Sequence, residues 1–125
     1  LVALKRAESV PGGYCGTHGT CGAAIGVGIF FSIITGSTPL SEKVWSLSNR
    51  ITGESLLEIA RHGGPRCCKR DSFLVIRKAV DSLRSEFNVK LPTSAVVCTF
   101  HHLNKQCKFE NCIFYMNPAD SLPKK

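Results

Sequence analysis

The order of apolar and polar positions predicts three helices followed by a stretch with no regular period. Residues 9–41 contain no Asp, Glu, Lys or Arg, and "AAIGVGIFFSII" within them is almost wholly apolar. A helix is predicted there, capped at Thr20, with Cys21 in its first turn and its end near Thr35. Gly22, Ala23, Ala24, Gly26 and Gly28 give it a small-residue surface. Glycine costs about 1 kcal/mol inside a helix, so close approach of another helix, or of a cofactor, is expected there. The second helix is predicted from "STPLSEKVW", with Thr38 or Ser41 as cap and Pro39 in the first turn. It runs through Val44, Leu47 and Ile51 to "IARHGG", where Arg61 and His62 suit a last turn and Gly63 the C′ position. In the third, opened by Pro65 and closed by Asn88, Phe73, Ile76, Val80, Leu83 and Phe87 recur at spacings of 3, 4, 3 and 4. That is a one-face stripe. Trp45 and the phenylalanines are expected in the core.

Beyond Asn88, "VKLPTSAVVCTF" reads as extended, with Val96, Cys98 and Phe100 on one face of a short strand. "HHLNKQCKFENCIFYMNP" has no helical or strand period and is expected to be an irregular loop pinned by its cysteines. The fold class predicted is mainly α: a small bundle of three to four helices with an irregular cysteine-rich C-terminal tail. At 125 residues, positions 1–125 are expected to form one domain. "LVALKRAES" looks like the tail of a helix that began earlier, as if Leu1 were an internal start. The apolar run is about a dozen residues, short of the ~20 that a membrane span needs, and no membrane association is expected.

Composition changes this picture at the cysteines. There are seven of them, at 15, 21, 67, 68, 98, 107 and 112. An odd number cannot all pair in disulfides. The opening residues do not have the pattern expected of a signal peptide, and one already cut away would leave secretion open. A reducing cytoplasmic compartment with metal-bound thiolates fits better than secretion with three bridges.

The formal charge of +7 is uneven: residues 63–90 contribute +4 of it. "GGPRCCKRD" (63–71) places Cys67 and Cys68 among Arg66, Lys69 and Arg70. A solvated helix face accounts for such a run. The sharper reading is a local site for an anion or thiolate, with Arg66, Lys69 and Arg70 binding it. Aromatic residues make up 8% of the chain and do not alternate with the lysines, so no nucleic-acid partner is expected.

Element lengths bring the cysteines together. A helix over 65–87 spans about 34 Å, and an extended return over 88–98 reaches up to about 36 Å. An antiparallel return sets Cys98 beside Cys67 and Cys68, with Cys107 and Cys112 following. A hairpin of the first two helices brings Cys21 near the Gly63–Gly64 turn. All seven cysteines then gather at one pole. Two groups sit at helix N-termini, where free N–H groups lower a thiol pKa. On a helical wheel Cys68 flanks the apolar stripe and Cys67 points nearly opposite, so they are expected to serve different partners.

Several chemistries remain open. Cys98-x8-Cys107-x4-Cys112, with His101 and His102 between, has the ligand types for zinc or an iron–sulfur cluster. The favoured ligands are Cys98, Cys107, Cys112 and one of Cys67 or Cys68. Cys15 and Cys21, with His18 between, join that site or make a second one, as ligands or as a redox pair; a glycine turn with a structural thiol is the plainer alternative. His62 reads as a helix cap. His101 and His102 read as loop residues, although one could complete a four-coordinate zinc. No Walker loop, G-x-S-x-G or H-E-x-x-H motif is present. The alternatives to a cluster are a metal-free thiol redox enzyme using Cys67 and Cys68, and a structural domain with a zinc or disulfide staple.

"VPGGYCGTHGTCGAAIGVGIFFSIITGSTPLS", "IARHGGPRCCKRDSFLVI" and "CTFHHLNKQCKFENCIFY" together resemble an uncharacterised cysteine-rich family of anaerobic bacteria and archaea, a domain of unknown function. That family sometimes occurs beside or fused to S-adenosylmethionine-dependent methyltransferase domains. The resemblance covers nearly the whole chain and implies weight on Cys15, Cys21, Cys67, Cys68, Cys98, Cys107 and Cys112. It also implies an upstream extension with further cysteines, and a methyltransferase-type partner or upstream domain. Members tend to have proline after the last cysteine, where this chain has Ile113. No activity carries over. A redox or cofactor-support role for a partner enzyme is the function expected.

Overall fold

The computed structural model describes residues 1–116. Its helices are α1 (Val2–Ala7), α2 (Tyr14–Thr17), α3 (Gly22–Thr35), α4 (Lys43–His62) and α5 (Cys68–Phe87). Two 3-10 turns follow, His101–Leu103 and Phe109–Asn111. The fold is mainly α, as the periodicity predicts, with an irregular tail carrying three cysteines.

The core lies where α3, α4 and α5 meet. Ala24, Val27 and Phe31 of α3, Ile51 of α4 and Val75 of α5 are buried together. Ser48 and Ser55 of α4 are buried as well. Each donates its hydroxyl to the carbonyl four residues back, at 3.0 and 2.8 Å, so neither is left unpaired. The small-residue surface of α3 is used at one point above all. A Cβ on Gly28 would run into the Thr52 side chain of α4, whereas one on Gly26 would meet nothing within 4 Å. Helix approach therefore accounts for Gly28 and not for Gly26.

Helix ends follow local chemistry. Gly36 and Gly63 follow α3 and α4 with φ of 64° and 66°, and Asn88 follows α5 with φ 53°. All three occupy left-handed φ, as helix-terminating positions commonly do. Starts are less well anticipated. Thr38 and Ser41 do not cap α4. They close a turn of their own, Ser41 N–H to Thr38 O at 3.0 Å and Thr38 N–H to Ser41 Oγ at 3.0 Å, and α4 begins after Glu42. Hydroxyl-to-backbone bonds compete with helix at such positions. Cys21, not Thr20, stands at the N-cap of α3.

The predicted stripe on α5 is displaced. Ile76 is 58% exposed, while Asp71, Leu74, Val75 and Ser82 are buried. This helix packs on two sides. Val75 faces α3 and α4, and Phe73 packs edge-on against the tail's buried Phe114 at 5.3 Å. Trp45 is not a core residue: it is 49% exposed near the start of α4. Phe30, Phe87, Phe100 and Phe109 are exposed too.

The tail returns along α5, and a groove lined by Arg77, Val80 and Arg84 of that helix also has Thr93–Val96 in its wall. No strand forms among the described residues. One isolated parallel bridge joins Cys98 to Tyr115, with Cys98 N–H on Phe114 O at 2.7 Å. A single crossing gives the predicted strand no ladder to extend. Among the described residues no helix is long and apolar enough to cross a membrane.

Candidate functional site

The antiparallel return has a chemical consequence. Cys67 and Cys68 at the start of α5 and Cys98, Cys107 and Cys112 of the tail line one cavity of about 530 Å³. Arg66, Lys69 and Arg70 line it as well.

Local conformation explains how two adjacent cysteines face the same space. The third helix does not begin at Pro65. Its first residue is Cys68, and Cys67 stands at the N-cap with extended backbone (φ −139°, ψ 97°). The wheel that separates the two side chains assumes that both are helical. With Cys67 outside the helix it does not apply, and both line the cavity. Cys68 is exposed and Cys67 partly buried.

Arg70 keeps the preceding segment in this form. It is 4% exposed. Its Nε donates to Asp71 Oδ1 at 3.1 Å, and its Nη2 to the carbonyls of Gly63 at 2.8 Å and Pro65 at 3.4 Å. Of the three cations expected to bind an anion, this one is therefore committed to the protein's own groups. Lys69 lies over the Phe100 ring, 4.1 Å from its centroid. No carboxylate pairs with Arg66 or Lys69 among the described residues.

Two tail sulfurs receive backbone donors. Phe100 N–H is directed at Cys98 Sγ and Phe109 N–H at Cys107 Sγ, each at 3.4 Å. Phe109 does this from left-handed backbone, φ 47°, a conformation uncommon for a bulky side chain. Lys108 ties this region to the bundle, its ammonium donating to His62 O at 2.9 Å. His62 itself closes α4, its ring Nδ1 2.9 Å from Glu58 O, in keeping with the expected capping role.

Cys15 and Cys21 line a second cavity of about 550 Å³, which shares Pro65, Arg66 and Arg70 with the first. The seven cysteines thus collect at one end, in groups of five and two on either side of the Pro65–Arg70 segment. Cys21 Sγ donates to Asp71 Oδ2 at 3.9 Å. The expected lowering of a thiol pKa at this helix N-terminus is reversed. Burial pushes the Cys21 thiol up, and the Asp71 carboxylate adds to that, against the Ala23 and Ala24 amides. His18 does not join the two thiols. It packs on Tyr14, ring centroids 4.1 Å apart, with Nδ1 2.8 Å from Thr17 Oγ1.

Among the described residues no three His, Cys, Asp or Glu side chains stand close enough to hold a single metal ion. The five-thiol cavity is instead wide, walled by thiols, cations and the aromatic rings of Phe100, Phe114 and Tyr115. Asp71, the one acid near the double cysteine and on that ground a candidate partner for Arg70 or Lys69, pairs with Arg70, while Tyr115 is a part of the site that the sequence leaves unmarked. The burial of Asp71 is what the sequence does not show, and Tyr115 is revealed by the bridge that brings it beside Cys98.

The sequence matches a family of unknown function, DUF5714, over residues 1–115, and the chain belongs to that family. No curated protein matches it. No solved structure matches it either.

Proposed function

For this DUF5714 protein we propose a thiolate-bound metal centre, an iron–sulfur cluster, seated in the five-cysteine cavity. The observation that carries this reading is the placement of Cys67, Cys68, Cys98, Cys107 and Cys112 around one space. Iron–sulfur clusters are held by cysteine thiolates. The cavity's breadth suits a group of several atoms better than one ion, for which the donors do not converge.

Each wall has a part in this reading. Cys98, Cys107 and Cys112 are the tail's donors, and Cys67 and Cys68 offer further thiols from α5. The Phe100 and Phe109 amides support sulfur charge, and hydrogen bonds to sulfur are one lever on cluster potential. Arg66 and Lys69 offset the negative charge of several thiolates, while Arg70 holds the segment that carries Cys67. Phe114 and Tyr115 limit water. When bound, the cluster supplies one-electron transfer. The domain then serves redox or cofactor support of a partner enzyme, a methyltransferase-type domain being the partner that the sequence resemblance implies. Cys15 and Cys21 stand apart as a second thiol pair.

Iron and acid-labile sulfide, measured on anaerobically purified protein together with its visible spectrum, test this directly. Matching iron and sulfide with broad absorbance in the blue is expected. Zinc alone would replace the cluster by a structural staple. Neither metal, with seven titratable thiols, would leave Cys67 and Cys68 as a nucleophile and resolving pair.

A further inference from the structure

We infer that His101 is a metal ligand, and that Cys98, His101, Cys107 and Cys112 form a four-donor set supplied wholly by the tail, with Cys67 and Cys68 outside it. This rests on the reading of the cavity as a metal centre, and it assigns the coordination.

The first observation is an orphaned atom. His101 lines the same cavity as the five cysteines. Its Nδ1 is shielded from water and has no hydrogen-bond partner among the described residues. A buried polar nitrogen without a partner is costly, so an unfilled partner position at this nitrogen calls for a reason. The ring is held by its surroundings, edge-on to Tyr115 at 5.2 Å and to Phe109 at 6.3 Å. Imidazole is the commonest metal ligand among side chains.

The second observation is the turn that carries it. Cys98 and His101 are separated by two residues, and Cys107 and Cys112 by four. Each spacing lies in the range by which one turn presents two donors to a metal. In both turns the first cysteine accepts the N–H of the residue two further on. In the second turn this comes at the expense of a left-handed Phe109, the kind of backbone cost that concentrates at ligand clamps. Cys67 and Cys68 come from elsewhere, the N-cap and first residue of α5; neither follows such a turn, and Cys68 is exposed. Because the donors do not already meet at one point, the tail closes on its metal, or it holds a group larger than one ion.

The test is metal content combined with thiol mapping on the full chain, purified anaerobically. Alkylation by iodoacetamide read by mass spectrometry is expected to spare Cys98, Cys107 and Cys112 and to modify Cys67 and Cys68. Chelation should expose all five. His101→Ala should lose at least tenfold in metal retention against a competing chelator and unmask the tail thiols. His101→Cys should restore retention with an altered absorption spectrum, which guards against simple misfolding. Cys67→Ser/Cys68→Ser together should keep the metal. Full retention in His101→Ala, or protection of Cys67 or Cys68 alongside the tail thiols, overturns the assignment while leaving a cluster reading intact. Zinc retained in a His101-dependent way keeps the assignment and removes the cluster. No metal in any preparation removes both.

Discussion

The Cys21 thiol lies 3.9 Å from Asp71 Oδ2, and the other oxygen of that carboxylate receives Arg70 Nε at 3.1 Å. One buried carboxylate thus links the two-cysteine cavity to the segment bordering the five-cysteine one. Asp71→Asn removes the counter-charge of a guanidinium that is 4% exposed. Breaking such a pair from one side costs about 3–5 kcal/mol. Urea unfolding should show that loss. Alkylation of Cys21 in the folded variant should become faster, since Asp71 is among the causes raising that thiol. An unchanged urea midpoint would mean that the pair is solvated in solution.

Alkaline pH should weaken the fold through the same residue. Burial first, and Asp71 after it, raise the folded-state pKa of Cys21. The unfolded chain therefore ionises earlier, near about pH 8.5. The contribution is whole below that value and is lost as pH rises through the folded-state value. Cys21→Ser should flatten the alkaline limb of a stability profile recorded under reducing conditions.

The acid limb has a different source. Lys78 and then Arg50 lower the Glu54 carboxyl, with Lys78 Nζ at 2.7 Å and Arg50 Nη1 at 2.9 Å. A carboxyl depressed on folding stabilises above its unfolded value, about 4.3, and loses that stabilisation as pH falls through the folded one. These are surface groups, so Glu54→Gln should cost no more than about 1 kcal/mol near pH 7. The difference from wild type should vanish in strong acid. Thermal unfolding across pH 3–7 reads it.

Two glycines of α3 should respond to alanine with opposite signs. At Gly26 nothing lies within 4 Å of an added Cβ, and alanine should stabilise by up to about 1 kcal/mol through helix propensity. At Gly28 the same methyl meets Thr52, whose hydroxyl is held on Ser48 O at 2.8 Å. Overpacking of about 1–3 kcal/mol should outweigh the propensity gain. Equal melting shifts for the two variants would show that α3 and α4 pack less closely than described.

Phe114 anchors the tail: it is 3% exposed, packs edge-on against Phe73, and has the Arg77 guanidinium over its ring, 5.8 Å from the centroid. Phe114→Ala removes about 3–5 kcal/mol of packing. The α3–α4–α5 core does not include it. Helical circular dichroism should survive while Cys98, Cys107 and Cys112 become uniformly reactive. Loss of both signals together would mean that tail and bundle unfold as one unit.

What the sequence made readable was local. Gly63 and Asn88 mark helix ends because left-handed backbone favours those residue types, and both hold. The length argument placed Cys98 beside Cys67 and Cys68 because rise per residue differs so sharply between helix and extended chain. What it missed depended on distant partners. Pro65 looks like a helix start until Arg70 is seen bonding the carbonyls before it. Arg70 and Asp71 are readable as neighbours able to pair, and they do, but their burial is not. Ile76 fits a stripe by spacing alone, but α5 has two packed sides, the core taking Leu83 and the tail taking Phe73, and Ile76 is left exposed. His101 gave no periodic signal, since its significance lies in what surrounds one nitrogen.

The exposed Trp45 has an optical consequence. It is the protein's one tryptophan and stands near the start of α4, while His62 and the thiol-bearing end lie about 25 Å away along the helix axis. Intrinsic fluorescence excited at the indole therefore samples the quiet end of the molecule. Local chemistry at the sulfurs will leave the emission maximum where it was. A shift in that maximum on thiol modification would report movement carried along the length of α4, making this residue a gauge of coupling between the ends.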